Sequence, residues 1–122
     1  MKYGITDALQ ALKPGAEWVL RGDAFAGLEW LDKSQNAPTE TEVNNKITEL
    51  DNAEAAKLLR VARDAKLAVL DWEVIKAYSS GVAVGSELKT YMQALRDLPA
   101  SASPKLDSNY NLDDSSVTWP TR

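Results

Sequence analysis

The stretch from Thr39 to Trp72 limits most strongly what this chain can fold into. Val43, Ile47 and Leu50 open an apolar stripe, which Leu58, Val61, Ala65, Ala68 and Trp72 continue. Steps of four and three keep one face of a helix apolar, so the spacing predicts one long helix, or two joined end to end. Glu54 interrupts the stripe, and two successive steps of four carry it from Leu50 to Leu58. Such a stutter locally straightens a coiled-coil seam. Any break is expected near Leu50–Asn52, where Asp51 can recap the helix. Thr39 and Glu42 have capping-box spacing, and Pro38 keeps the preceding chain out of the helix. Lys57, Arg60, Arg63, Asp64 and Asp71 gather on the polar side. No residue here points to catalysis, and the stretch reads as a packing device.

Composition narrows the function classes. A chain of 122 residues with 44% apolar content is the size of one domain with a modest core. Its net charge of −4 argues against a nucleic-acid binder, because neutralising phosphates needs clustered Lys and Arg. The absence of cysteine excludes disulfides, thiolate metal sites and thiol nucleophiles. The absence of histidine removes the commonest general base and metal ligand. An enzyme is therefore not expected, nor a cofactor or metal. Met1 to Leu12 lacks the apolar core of a signal peptide, and no stretch is long enough to span a membrane. A soluble, intracellular protein is expected.

Ile5, Ala8, Leu9 and Leu12 have helical spacing, Thr6 or Asp7 can cap them, and Lys13-Pro14-Gly15 stops them. The period then changes to two. Trp18 and Leu20 share one face, as do Leu28 and Trp30, and Gly22 and Gly27 bracket the connection, which predicts a β-hairpin with a longer loop. A hairpin alone is marginal in water, so its Trp face must lie on something, most simply the long helix. Asp32 to Pro38 is a polar linker. After Trp72, Glu73–Tyr78 either extends the helix or forms a short strand, and Ser79-Ser80-Gly81 breaks it. Ser86 can cap a second helix whose face is Leu88, Tyr91, Met92 and Leu95, with Pro99 ending it. Ala100 to Arg122 is rich in Ser, Asp, Asn and Pro and should lack regular structure unless the core or a partner holds Tyr110, Val117 and Trp119.

Several motifs have plain explanations. Arg21-Gly22-Asp23 spells an adhesion tripeptide, but Gly and Asp are the turn residues a hairpin loop calls for. Asp107, Asn109, Asn111 and Asp113 alternate like calcium-loop ligands, yet Leu112 and Thr118 stand where such a loop wants Gly and Glu. Glu40 and Glu42 are explained by capping and the helix dipole. Asp113-Asp114 has no apolar setting to raise a pKa. Of the tryptophans at 18, 30, 72 and 119, most are expected in the core. Trp119 is the best interface candidate, since it sits in the polar tail with Pro120 fixing the next φ.

Three blocks carry a resemblance: RDAKLAVLDW over Arg63–Trp72, YMQALRDLP over Tyr91–Pro99, and the closing Trp119-Pro120. In this order they resemble the phage tail assembly chaperone family, small proteins of tailed bacteriophages encoded near tail or tail-fibre genes. The resemblance covers about half the chain, from Arg63 onward. Met92 stands where the family usually has arginine, and the Ser/Asp/Asn insertion before Trp119 is longer than usual. Pro14–Trp18, Leu28–Trp30 and Pro38–Glu40 are similar to the leaders of other small phage tail proteins. The resemblance implies no catalytic residue. It implies a non-enzymatic protein that binds tail or tail-fibre subunits during assembly in the host cytoplasm. The alternative is a permanent virion component of the tail, fibre attachment or baseplate.

The expected fold is mainly α with a small N-terminal hairpin: a helix and hairpin over 1–37, a helical region over 38–99 with helices at 39–72 and 86–98, and an irregular tail over 100–122. Reciprocal Arg–Asp pairs between Arg63-Asp64 and Arg96-Asp97 would fix the two helices, with Tyr91 and Leu95 packing on Trp72 and Leu67. Arg63, Asp64, Trp72, Tyr91, Leu95, Arg96 and Asp97, with Trp119 and Pro120, are the expected partner-binding set, and Trp119 is expected to dock outward. The seam Val43, Ile47, Leu50, Leu58, Val61 and Ala65 further suggests burial against copies or partners, hence a homo-oligomer or hetero-complex.

Overall fold

A computed structural model describes residues 3–122. The elements in chain order are α1 (Ile5–Leu12), β1 (Trp18–Leu20), β2 (Leu28–Trp30), α2 (Glu40–Ala68), α3 (Asp71–Ser79) and α4 (Ser86–Ser101). The mainly α architecture with an N-terminal hairpin is the one expected. The chain divides into two compact units, 1–53 and 54–122, and α2 runs unbroken through the boundary. No helix among the described residues is long and apolar enough to cross a membrane.

The first unit is built from local signals. Gly4 is the N-cap of α1, and its N–H donates to Asp7 Oδ2 at 2.9 Å, so Asp7 ties down the helix start from the third helical position. Ala8 and Leu9 are fully buried. The strands pair antiparallel, with Trp18 opposite Trp30 and Leu20 opposite Leu28. Trp18, Leu28, Trp30 and Phe25 pack with Ala8, Leu9 and Val43, joined by Ile5, Leu12 and Ile47. The hairpin therefore lies on α1 and the start of α2 together. Gly27 is required in the connection, because a Cβ there would come within 1.9 Å of the Arg21 carbonyl oxygen. Arg21 itself pairs with Glu29 across the hairpin, which accounts for the first residue of the adhesion-like tripeptide. Thr39 Oγ1 accepts from the Glu42 N–H at 3.1 Å, so α2 starts on the cap expected.

Asp32 buckles the end of the hairpin. Its carboxylate accepts N–H groups from Glu17 at 2.9 Å and from Ser34 and Gln35 at 2.8 Å, and the Ser34 hydroxyl at 2.9 Å. These donors, the Glu17 amide first, pull its pKa from the ordinary 3.8 to about 2. Gln35 extends the buckle, accepting Trp30 Nε1–H at 2.8 Å and donating Nε2–H to the Pro14 carbonyl at 3.0 Å.

The second unit corrects the apolar face of α2. Ala55 and Leu59 are buried, Ala62 and Leu67 half-buried, and Leu70 is buried just beyond the helix end. Val61, Ala65, Ala68 and Trp72 instead face solvent. The inward stripe is the neighbouring one, about 100° around the helix from the stripe that looked continuous. Helix α2 passes through Leu50–Asn52 without a break and stops at Ala68. The interruption lies at Val69–Leu70, where the Leu70 N–H donates to the Leu67 carbonyl at 3.0 Å. Burying Leu70 as the turn's anchor, rather than Trp72, explains its position. Helix α4 buries Leu88, Leu95 and Leu98, and Pro99 sits within its last turn instead of ending it; α4 continues to Ser101. Proline at 99 has no N–H to give the Leu95 carbonyl, so α4 reaches Ser101 with one intrahelical bond fewer.

The segment after α4 is held by side chains rather than by a ladder. Asp107 Oδ1 accepts the Asn109 and Asn111 amides at 2.8 and 3.1 Å, closing a turn in which Tyr110 has φ 60° and Leu106 bridges Leu112. Asp113 Oδ1 accepts the Ser115 amide at 3.0 Å and caps a 3-10 turn at Asp114–Ser116. The Ser116 hydroxyl accepts the Lys105 amide at 2.9 Å. The carboxylates that resembled calcium ligands are thus engaged with the backbone. Val117 is buried with Leu59 and Leu98, and Trp119 packs on that cluster and on the one formed by Leu70, Leu88 and Leu95.

Two outcomes follow from this packing. Trp119→Ala should destabilise the 54–122 unit by roughly 2 kcal/mol, somewhat under the usual cost for a fully buried Trp. A urea melt checks it, and an unchanged midpoint would show that the Trp119 contacts carry no stability. For Asp32, whose folded pKa is depressed, the contribution is full above about pH 4 and vanishes as pH falls through about 2. Asp32→Asn should therefore lower stability at neutral pH and flatten the loss between those values. Parallel urea melts from pH 5 to 2 give the comparison.

Candidate interaction surface

Helix α3 is short, apolar on two sides, and sharply bounded. Asp71 and Glu73 stand in its first turn, where carboxylates favour the positive end of the helix dipole. Its far end is a Schellman stop. The Val82 N–H reaches the Ala77 carbonyl at 2.9 Å, the Gly81 N–H reaches Tyr78 at 3.1 Å, and Gly81 takes φ 67°. Leu70, Val74 and Ala77, at helical spacing, turn inward, Leu70 and Val74 against Leu88, Leu95, Tyr91 and Met92. The other side goes to solvent: Trp72 is 68% exposed, Ile75 59% and Tyr78 87%. Val69, at 74%, and Val82, at 62%, extend this surface at either end. Single exposed apolar residues are ordinary, but five large ones within fourteen positions are not. Beside them a shallow groove of about 450 Å³ is lined by Glu73, Lys76, Ala77, Ser80 and Val82.

The end of the chain fastens this region. Arg122 donates to both Glu73 oxygens at 2.7 and 3.0 Å, and its Nε–H donates to Glu87 at 2.9 Å, bridging α3 and α4. The Arg122 hydrogen bonds hold the Glu73 carboxyl below the usual carboxylate range, and the two glutamates raise the guanidinium pKa in turn. A bidentate fork fixes geometry even where solvent screens the charge.

The expected partner residues fall into three groups. Leu95 is fully buried in a cluster with Leu70 and Leu88, and half-buried Tyr91 and Leu67 each pack against that cluster, while Trp72 is exposed to solvent. Trp119 turns inward and lies under Lys66, whose Nζ is 4.7 Å from the ring centroid; Pro120 beside it is half-buried. The reciprocal Arg–Asp pairs do not form. Arg63 pairs with its neighbour Asp64 at 2.9 Å and reaches the Arg96 carbonyl at 3.4 Å, whereas Asp97 accepts from Gln93 at 2.9 Å. A guanidinium on a helix-end carbonyl serves the same linking purpose without a second charge. Ile75, Tyr78 and Val82 went unnoticed in the sequence. Their signal was present: from Val69 to Tyr78 only Asp71, Glu73 and Lys76 are polar, which is more apolar surface than one buried face can take.

Among the described residues no three acidic side chains come together to hold a metal ion. Glu73 is the ionisable group on α3 with a resolved shift, and its lowered pKa suits an ion pair, not a general acid.

No curated protein and no solved structure matches the chain. A family model does match residues 56–122, more than half of the sequence and nearly the whole of the second compact unit, α3 surface included. By that match the chain belongs to the phage tail assembly chaperone protein family.

Proposed function

We propose that the protein is a non-enzymatic assembly factor that binds a tail or tail-fibre subunit in the host cytoplasm, and that the outer face of α3 is the contact surface. The exposure of Trp72, Ile75 and Tyr78 within the family-matched unit carries this proposal. Large aromatics at the centre of a contact supply most of its energy, and Asp71 and Lys76 provide a charged rim that excludes water and sets orientation. The inward side of the same helix is fixed by Leu70 and Val74, so the outward side is presented without an ordering cost. A patch of this size favours modest affinity, which suits a partner that must later be released into the growing tail.

Trp72→Ala and Tyr78→Ala test the surface against the tail and tail-fibre subunits made alongside the protein. Each should weaken binding by about 2 kcal/mol, roughly thirtyfold, in a calorimetric titration. Stability should stay within about 0.5 kcal/mol, as for other solvent-facing substitutions. Unchanged binding in both variants overturns the assignment of the surface. Mass spectrometry of purified particles separates the two roles: absence fits a released chaperone, whereas retention at fixed stoichiometry makes the protein a permanent tail component.

A further inference from the structure

Helix α2 carries a second solvent-facing apolar stripe on its C-terminal half, and its charges are arranged for a specific occupant. Val61 is 59% exposed, Ala65 and Ala68 are exposed, and Val69 and Trp72 continue the stripe at 74% and 68%. Past the Val69–Leu70 interruption Leu70 keeps right-handed helical angles, φ −87° and ψ −15°, and Asp71 and Trp72 follow it at the start of α3. Lys57, Arg60, Asp64 and Asp71 lie along one flank of it, within roughly a quarter turn. They are graded along the axis, with Lys57 and Arg60 at the start and Asp71 at the finish, all exposed. Among the described residues Lys57, Arg60 and Asp71 form no ion pair, while Asp64 is taken by Arg63.

We infer that the occupant is a second copy of this chain, lying antiparallel about a two-fold axis near Ala65. In an antiparallel helix pair each flank meets the same flank of its mate, reversed. The basic end of one copy then lies on the acidic end of the other, twice by symmetry. Val61 comes opposite Val69 of the second copy, Leu58 opposite Trp72, and Arg60 beside Asp71. A parallel pair in register would set the charged flank against Leu58, Ala62 and Val69, where no complement exists. Small Ala65 at the axis lets the helices approach closely. The unbroken helix from Lys57 to Ala68 is only about 18 Å long, short for an obligate interface, so a reversible dimer follows.

Sedimentation equilibrium on the pure full chain, from roughly 1 µM to 1 mM, reads this directly. A monomer–dimer equilibrium is expected, and Ala65→Glu should abolish it with helicity unchanged by circular dichroism. Charge exchange tests the orientation. Lys57→Glu with Arg60→Glu in one variant, and Asp71→Lys in another, should each weaken self-association by about tenfold. Mixing the two variants should restore a dimer of wild-type strength, because each then meets its opposite charge. A chain monomeric throughout the range, association indifferent to Ala65→Glu, or a mixture no stronger than its parts would overturn the proposal. So would a monomer that binds a tail subunit through Val61 and Ala65. Trp72 lies in both contacts, so client binding is read with Tyr78→Ala, past the paired stretch, and a failed dimer leaves Ile75 and Tyr78 as client surface untouched.

Discussion

Everything in the 54–122 unit depends on how Trp119 closes it. Leu59, Leu98 and Val117 form one buried cluster and Leu70, Leu88 and Leu95 another, and the indole touches both. A large ring brought back by the chain's last segment covers more apolar surface than any other residue type could. The segment that delivers it has few apolar residues, so its course is set by backbone amides that donate to the side chains of Asp107, Asp113 and Ser116. Arg122 then secures the end against Glu73 and Glu87. A polar segment and the Arg122 ion pairs thus position one hydrophobic side chain.

Much of the first unit was legible in the sequence because its determinants are local. The α1 limits, the two-residue period of both strands, the glycines of the connection and the Thr39 cap each act within a few residues of their effect. The face of α2 was not legible beyond Leu50. There the sequence carries two apolar stripes side by side, and spacing alone gives both equal standing. What chooses between them is whether α4 and the returning tail offer a surface, and that information lies thirty to sixty residues away. The order of the tail escaped for a related reason. Its composition is that of a disordered segment, but composition counts apolar surface and overlooks carboxylates aimed at backbone amides.

The charges follow a similar division between near and far. Asp32 gathers four donors contributed by Glu17, Ser34 and Gln35 and needs no cation to stay ionised. Arg122 instead spans residues thirty-five and forty-nine positions away. The first kind is a turn device that works wherever the hairpin forms. The second forms only after the helices have been placed, so it records the finished arrangement and adds definition to it rather than directing it.

The apolar surface on α2 and α3 exceeds what the core behind them buries. A helix that needed only to pack would carry one stripe and polar residues elsewhere, and a second stripe left in water brings an aggregation hazard. From Val61 to Val82 the protein keeps that hazard, yet keeps it on rigid helices whose opposite sides are anchored by Leu59, Leu70 and Val74. Rigid presentation limits what the surface can bind, because a partner must match a fixed spacing of side chains and the charges at its edge. The family match begins at residue 56 and takes in this surface, the core behind it and the tail that closes the core. The helices, the returning Trp119 and the outward-facing Trp72 all lie within that matched stretch: a core completed from within, with a second apolar face on its outside.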